Sequence, residues 1–137
     1  MVVITEGKRA DVRVARTLRF DPDTIVVMDR GYNDYTWFGQ LTAQGVDFVT
    51  RLKENPAYDV VERREVPERS TVLRDDILEL TRVDAATKCP FPLRRVEVND
   101  PEKHRTLVFL TNHLTFGATT IAAIYKDRWQ VELFFKA

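Results

Sequence analysis

The chain has 137 residues, enough for one domain with a substantial core. Its 44% apolar and 31% charged composition excludes a disordered or fibrous polypeptide. Twenty-one basic residues balance twenty-one acidic ones, so any nucleic-acid-binding face has to be local rather than general.

The single Cys89 excludes an internal disulfide, fits a reducing compartment and reads as a small semi-buried hydrophobe. No stretch reaches the roughly 18 apolar residues of a membrane span, and Met1-Val2-Val3-Ile4 runs straight into charged sequence rather than a signal peptide. The expected compartment is the cytoplasm.

In chain order, residues 2–4 read as the tail of a strand that ends at the turn Glu6-Gly7-Lys8. Residues 11–18 predict a short helix with Val12, Ala15 and Leu18 on its apolar side, followed by a turn at Asp21-Pro22-Asp23. Thr24-Ile25-Val26-Val27-Met28 is a continuous, largely β-branched run, the pattern of a strand buried on both faces of a parallel sheet. It ends at Asp29-Arg30-Gly31-Tyr32. A helix is expected over 33–44, with Asn33 as N-cap, Trp37, Phe38 and Leu41 buried, and Gly45 as its stop. Residues 47–53 alternate and predict a second strand, parallel to the first across the helical crossover.

From Tyr58 to about His104 the pattern changes. Short alternating segments broken by Pro67, Pro90, Pro92 and Pro101 predict antiparallel strands and hairpins with one wet face. The α/β pattern resumes with a strand over 105–112, then a helix over 119–137. That helix puts Tyr125, Arg128 and Glu132 on one stripe, at i, i+3 and i+7, opposite an apolar side of Ile121, Ile124, Trp129 and Leu133. An acid, a base and a phenol in line suit metal and phosphate better than a core.

Asp29 directly follows a buried strand, and ligands of open α/β sheets gather outside such strand ends. Position alone serves a metal-binding carboxylate and a turn-capping one equally. A lone helical Glu132 is ordinarily solvated, with Lys136 as its surface partner, whereas Arg128 favours bidentate phosphate binding. Arg51, Lys53, Arg63, Arg64, Arg94 and Arg95 are further basic candidates for DNA, although charges on half-exposed strands are ordinarily just solvated. His104 and His113 lack partners at zinc-site spacing, and Trp37 and Trp129 read as packing residues.

Asp29-Arg30-Gly31-Tyr32 after a β-branched strand, Phe48-Val49-Thr50-Arg51-Leu52-Lys53 after the next helix, and Tyr125-x-x-Arg128-x-x-x-Glu132 on the last helix occur in that order. Together they resemble the insertion sequence four family of DDE transposases, over residues 2–137. The resemblance implies an α/β fold with a partial ribonuclease-H-like core (residues 1–55 and 105–137). A β-rich antiparallel insertion, residues 56–104, would separate the second catalytic Asp from the catalytic Glu. It implies Asp29 and Glu132 as catalytic, metal-binding carboxylates, and Tyr125, Arg128 and Arg30 as DNA-binding residues.

By the same resemblance the cofactor is Mg²⁺, with Mn²⁺ as a substitute, because hard cations take oxygen ligands. The partner is double-stranded DNA at the terminal inverted repeats, with a homodimer in the intact synaptic complex, in the bacterial cytoplasm at the nucleoid and with no membrane. The reaction would be metal-dependent phosphodiester hydrolysis and strand transfer.

Two departures stand out. The family's first catalytic Asp has no counterpart in a suitable strand before Asp29, since Asp11, Asp21 and Asp23 fall in a helix and a turn. The motif's final Lys would fall beyond Ala137, and Lys136 does not match it. The expectation is a fragment of the catalytic domain, inactive alone. A non-catalytic remnant that binds DNA or partner chains, and a stand-alone structure-specific nuclease, are the alternative readings.

Overall fold

A strand that is apolar on both faces needs cover on both sides, and that requirement organises this chain. The computed structural model describes residues 2–5, 21, 24–28, 34–52, 57–126 and 134–135. Their strands are β1 (Val2–Thr5), β2 (Ile25–Met28), β3 (Asp47–Arg51), β4 (Tyr58–Arg63), β5 (Val72–Leu80), β6 (Leu93–Asp100), β7 (Arg105–Thr111) and β8 (Phe134–Phe135). The helices are α1 (Tyr35–Ala43), between β2 and β3, α2 (Val83–Lys88), between β5 and β6, and α3 (Ala118–Lys126), after β7. The helix expected over 11–18 lies outside the described residues.

All the strands share one sheet, in the order β4-β5-β6-β7-β3-β2-β1-β8. β2 is parallel to both β1 and β3, as the β-α-β pattern requires. β4 to β7 form an antiparallel meander, and β7 joins it to β3 in antiparallel register. The β-rich segment therefore continues the sheet of the parallel strands.

Helices cover both faces. On one, Trp37, Phe38 and Leu41 of α1 and Ala85 and Cys89 at α2 pack over Val26, Phe48, Leu78, Leu93 and Leu110. Phe38 stacks on Phe48 at 4.3 Å and 11°. On the other, Ala118, Ile121, Ala122 and Tyr125 of α3 pack over Val27, Val49, Val96, Val98 and Phe109. The split follows strand alternation, Val26 and Phe48 pointing one way and Val27 and Val49 the other. Each such buried side chain contributes about 1.5–3 kcal/mol.

Burial corrects two expectations. β3 does not alternate between core and solvent, since Phe48, Val49 and Thr50 are all buried beneath opposing helices. β6 likewise lacks a wet face over most of its length.

Asp34, not Asn33, caps α1: its side chain accepts the Trp37 N–H at 3.1 Å. Both residue types serve this role. The expected stop holds. Gly45 takes φ 75°, the Gly45 and Val46 N–H groups donate to Thr42 O and Leu41 O, and Val46 and Leu41 meet in the core. That is a Schellman ending, in which an αL residue satisfies the last carbonyls.

α2 was not foreseen. Six residues between hairpin-like strands and two prolines are too few to show a period. At the other end of the chain, Phe134–Phe135 pair with Ile4 and Thr5 as a parallel strand, so the helix expected over 119–137 does not run to its end. Cys89 is fully buried, and burial raises its thiol above the ordinary value, which fits an inert packing group.

α1 crosses α2 closely at Gly39, where a Cβ would lie 2.1 Å from the Lys88 carbonyl oxygen. Alanine gains about 1 kcal/mol over glycine in a helix, but overpacking this contact costs about 1–3 kcal/mol. Gly39→Ala is expected to lower the urea midpoint at unchanged slope. An unchanged or higher midpoint would mean that the helices do not touch there.

Candidate functional site

The parallel strands end together. Thr5 pairs with Met28 and Met28 with Thr50, so β1, β2 and β3 present their carboxyl ends along one edge. Asp29, next after Met28, lies outside the described residues, as do Arg30, Lys53, Arg128, Trp129 and Glu132. β7 runs against β3 with Arg51 opposite Phe109, so Arg105 to Val108 and the turn before them overhang that edge. The Leu52 N–H still reaches Val108 O at 2.7 Å.

A cavity of about 560 Å³ opens beneath the overhang, lined by Arg51, Asp100, Lys103, Arg105, Leu107, Tyr125 and Lys126 among others. Its walls carry four cations against two carboxylates, Asp100 and Glu102. Asp100 and Arg105 close the β6–β7 hairpin as cross-strand partners, with Arg105 Nε 3.3 Å from Asp100 Oδ2. His104 supplies the turn's αL residue at φ 49°. Burial pushes the Asp100 carboxyl up, but the Arg105 hydrogen bond and charge, the Lys103 backbone N–H and the Lys126 charge outweigh it and leave the carboxyl below its usual range.

Tyr125 is the one residue of the predicted stripe that is described. It is 3% exposed, its ring lies 4.8 Å from that of Phe109, and it also lines the cavity. The expectation that the stripe avoids the core is corrected at this position: Tyr125 belongs to the α3-side core.

Two other candidates are corrected outright. Arg94 is 1% exposed and forms a bidentate pair with Asp75, Nε to Oδ1 and Nη2 to Oδ2, both at 2.7 Å. Its Nη1 donates to the carbonyls of His113, at 3.3 Å, and Phe116. Arg95 is also buried, on the opposite face of β6. Neither can meet DNA. Arg64 donates to the Leu114 carbonyl from the end of β4, while Arg63 is exposed on that edge strand.

The Arg64 and Arg94 guanidiniums thus fasten residues 113–116, the loop that delivers the chain into α3. The loop stiffens itself as well. His113 stacks on Phe116 at 3.7 Å, and its Nδ1 accepts the Phe116 N–H at 3.1 Å. Just upstream, Asn112 accepts the Phe48 N–H at 2.8 Å and donates to Thr42 Oγ1 at 2.8 Å and Val46 O at 3.0 Å. The end of β7 is thereby tied to the α1–β3 turn. No residue pattern announced these contacts, since an arginine or asparagine between apolar residues reads as exposed.

Among the described residues there is no group of three or more His, Cys, Asp or Glu side chains that could hold a metal, and no helix long and apolar enough to cross a membrane.

Residues 1–137 match the family described as the transposase DDE domain. A protein of Sinorhizobium fredii named as transposase y4zB is 34% identical over 137 positions, covering 97% of this chain and 38% of that protein. A protein of Geobacillus stearothermophilus named as the transposase for insertion sequence element IS5377 is 28% identical over 145 positions, covering 98% of this chain and 35% of that protein. The chain therefore spans between a third and two fifths of the length of these relatives.

Removing one partner of a buried ion pair costs about 3–5 kcal/mol, whereas replacing both with apolar residues is often neutral. Asp75→Ala is expected to lose that amount in chemical denaturation, with part restored by Arg94→Met in the same chain. Equal destabilisation by single and double variants would show that the loop, not the pair, carries the loss. At Asp100 a lowered pKa stabilises the fold above the ordinary carboxylate pKa of about 3.9, and that contribution fades as pH falls through the lowered value. Melting temperatures of the wild type and Asp100→Asn should accordingly differ at neutral pH and converge in acid. A gap that widens in acid would contradict the assignment.

Proposed function

This chain belongs to the transposase DDE domain family, and we propose that it forms part of the catalytic centre of a DNA transposase. In this reading Asp29 and Glu132 are two of its metal-binding carboxylates. The observation that carries it is a convergence at one edge: β2, which leads into Asp29, ends beside β1 and β3, and Tyr125 of α3 lines the cation-rich cavity there. Strand alternation adds support. Val27 lies in the core cluster that contains Tyr125, and Asp29 follows Val27 by two positions in sequence, the period of strand alternation. The ribonuclease-H-like core, with residues 56–104 as an insertion between the two acids, belongs to the same proposal.

The donor set suits Mg²⁺, because carboxylate oxygens are hard ligands and this cation is commonly held by one or two of them plus water. When bound, the cation supplies activation of a water or 3′-hydroxyl and neutralises charge on the leaving oxygen during in-line displacement at phosphorus. The chain's own groups do the rest. Asp29 and Glu132 hold the positive charge at the carboxyl edge, while Arg128 and Arg30 orient the phosphate. α3 carries Tyr125 in its last turn and leads the chain toward Arg128 and Glu132. Double-stranded DNA at the element's inverted repeats is the proposed substrate, with a homodimer in the assembled complex.

The test is Mn²⁺ binding followed by electron paramagnetic resonance. Asp29→Asn and Glu132→Gln should each weaken binding by at least about tenfold, about 1.4 kcal/mol, without moving the thermal melt. Unchanged Mn²⁺ affinity in both variants would remove these carboxylates from the site.

A further inference from the structure

We infer that the turn between β6 and β7, together with the last turn of α3, forms a subsite for the phosphodiester backbone of a DNA strand, with Lys103 and Lys126 as its phosphate contacts. The inference rests on the transposase reading and adds to it the β6–β7 turn, which lies outside the three sequence motifs, and Lys126, which the third motif leaves unspecified.

Charge accounting at the cavity leads there. Asp100 is 9% exposed and its direct partner is Arg105 at 3.3 Å, with the Lys126 charge a lesser influence on it, so three cations remain on the wall against Glu102. Among the described residues, no ion pair engages Arg51, Lys103 or Lys126. Lys103 and Lys126 are exposed and Arg51 is half-buried, and all three line the cavity. In a protein of zero net charge, this is a local excess of positive charge beside the ends of the parallel strands. Its backing is fixed. Asp100, Arg105 and the αL residue His104 hold the turn, and α3 is seated in the core through Ile121 and Tyr125.

The lining identifies the kind of ligand. The cavity falls within the range of about 300–1,000 Å³ usual for ligand clefts. Leu107 and Tyr125, each 3% exposed, offer a largely apolar floor. Flexible ammonium groups around such a floor hold phosphates as point charges and do not read base edges. The subsite would fix the register of a strand, whatever its sequence, relative to the carboxyl edge.

Fluorescence anisotropy with a fixed-sequence DNA duplex and a shuffled duplex of equal length, across a salt series, tests this on the full chain. The double variant Lys103→Ala/Lys126→Ala should bind both duplexes about tenfold more weakly at low salt. Its slope of log affinity against log salt should fall by about 2, at about 0.9 for each phosphate no longer neutralised. Because both lysines are exposed, its melt should match the wild type. Arg63→Ala, on the far edge strand β4, should change neither affinity nor slope. Wild-type affinity and slope in the lysine variant would overturn the subsite and leave the transposase reading standing. An equal loss in Arg63→Ala would overturn it in favour of diffuse charge attraction. No binding of either duplex by the wild type would remove the subsite and count against the transposase reading itself.

Discussion

The bidentate pair between Arg94 and Asp75 is the interaction on which the α3 side of this molecule depends. Burying two opposite charges is seldom a net source of stability, because desolvation offsets most of the attraction. What the pair does supply is geometry. Two guanidinium nitrogens are taken up by Asp75, which orients the third toward the carbonyls of His113 and Phe116. A lysine at this position would offer a single point charge and no fixed fork. The loop before α3 is thus held by charge-assisted hydrogen bonds within the sheet rather than by apolar contact alone. The position of Tyr125 on the cavity wall follows from it.

Much of the fold was legible wherever residue type and period agree. The run ending at Met28 could only be a doubly covered strand. Trp37, Phe38 and Leu41 repeat at helical spacing, and Gly45 could end α1 because it accepts a positive φ. The misread positions share a cause: local pattern is silent about what lies overhead. Arg94 and Arg95 sit in an alternating strand and look solvent-facing until helices are placed on both faces of β6. Tyr125 resembles a functional phenol from its neighbours at i+3 and i+7, but Phe109, sixteen positions away in sequence, makes it a core residue as well.

For the candidate site, the sequence located a strand end and a helix but not the hairpin between them. Asp29 stood out because an acid after a buried run is unusual, and Tyr125 because of its stripe. Lys103 and Arg105 carry no such mark. Their relevance comes from the antiparallel register of β7 on β3, which extends the β6–β7 turn past the last residue of β3. Pairing of strands more than fifty residues apart cannot be read from either strand alone.

The fastening of residues 113–116 also bears on how freely the middle of the chain could vary. Arg64 lies just after β4 and Arg94 in β6, and together they bind the carbonyls of His113, Leu114 and Phe116. A descendant without β4 to β6 would leave those three carbonyls without their protein donors and bare the outer edge of β7. The segment is therefore no interchangeable cassette. Arg64, just after the edge strand β4, and Arg94, in β6, tie both ends of it to the helix they support.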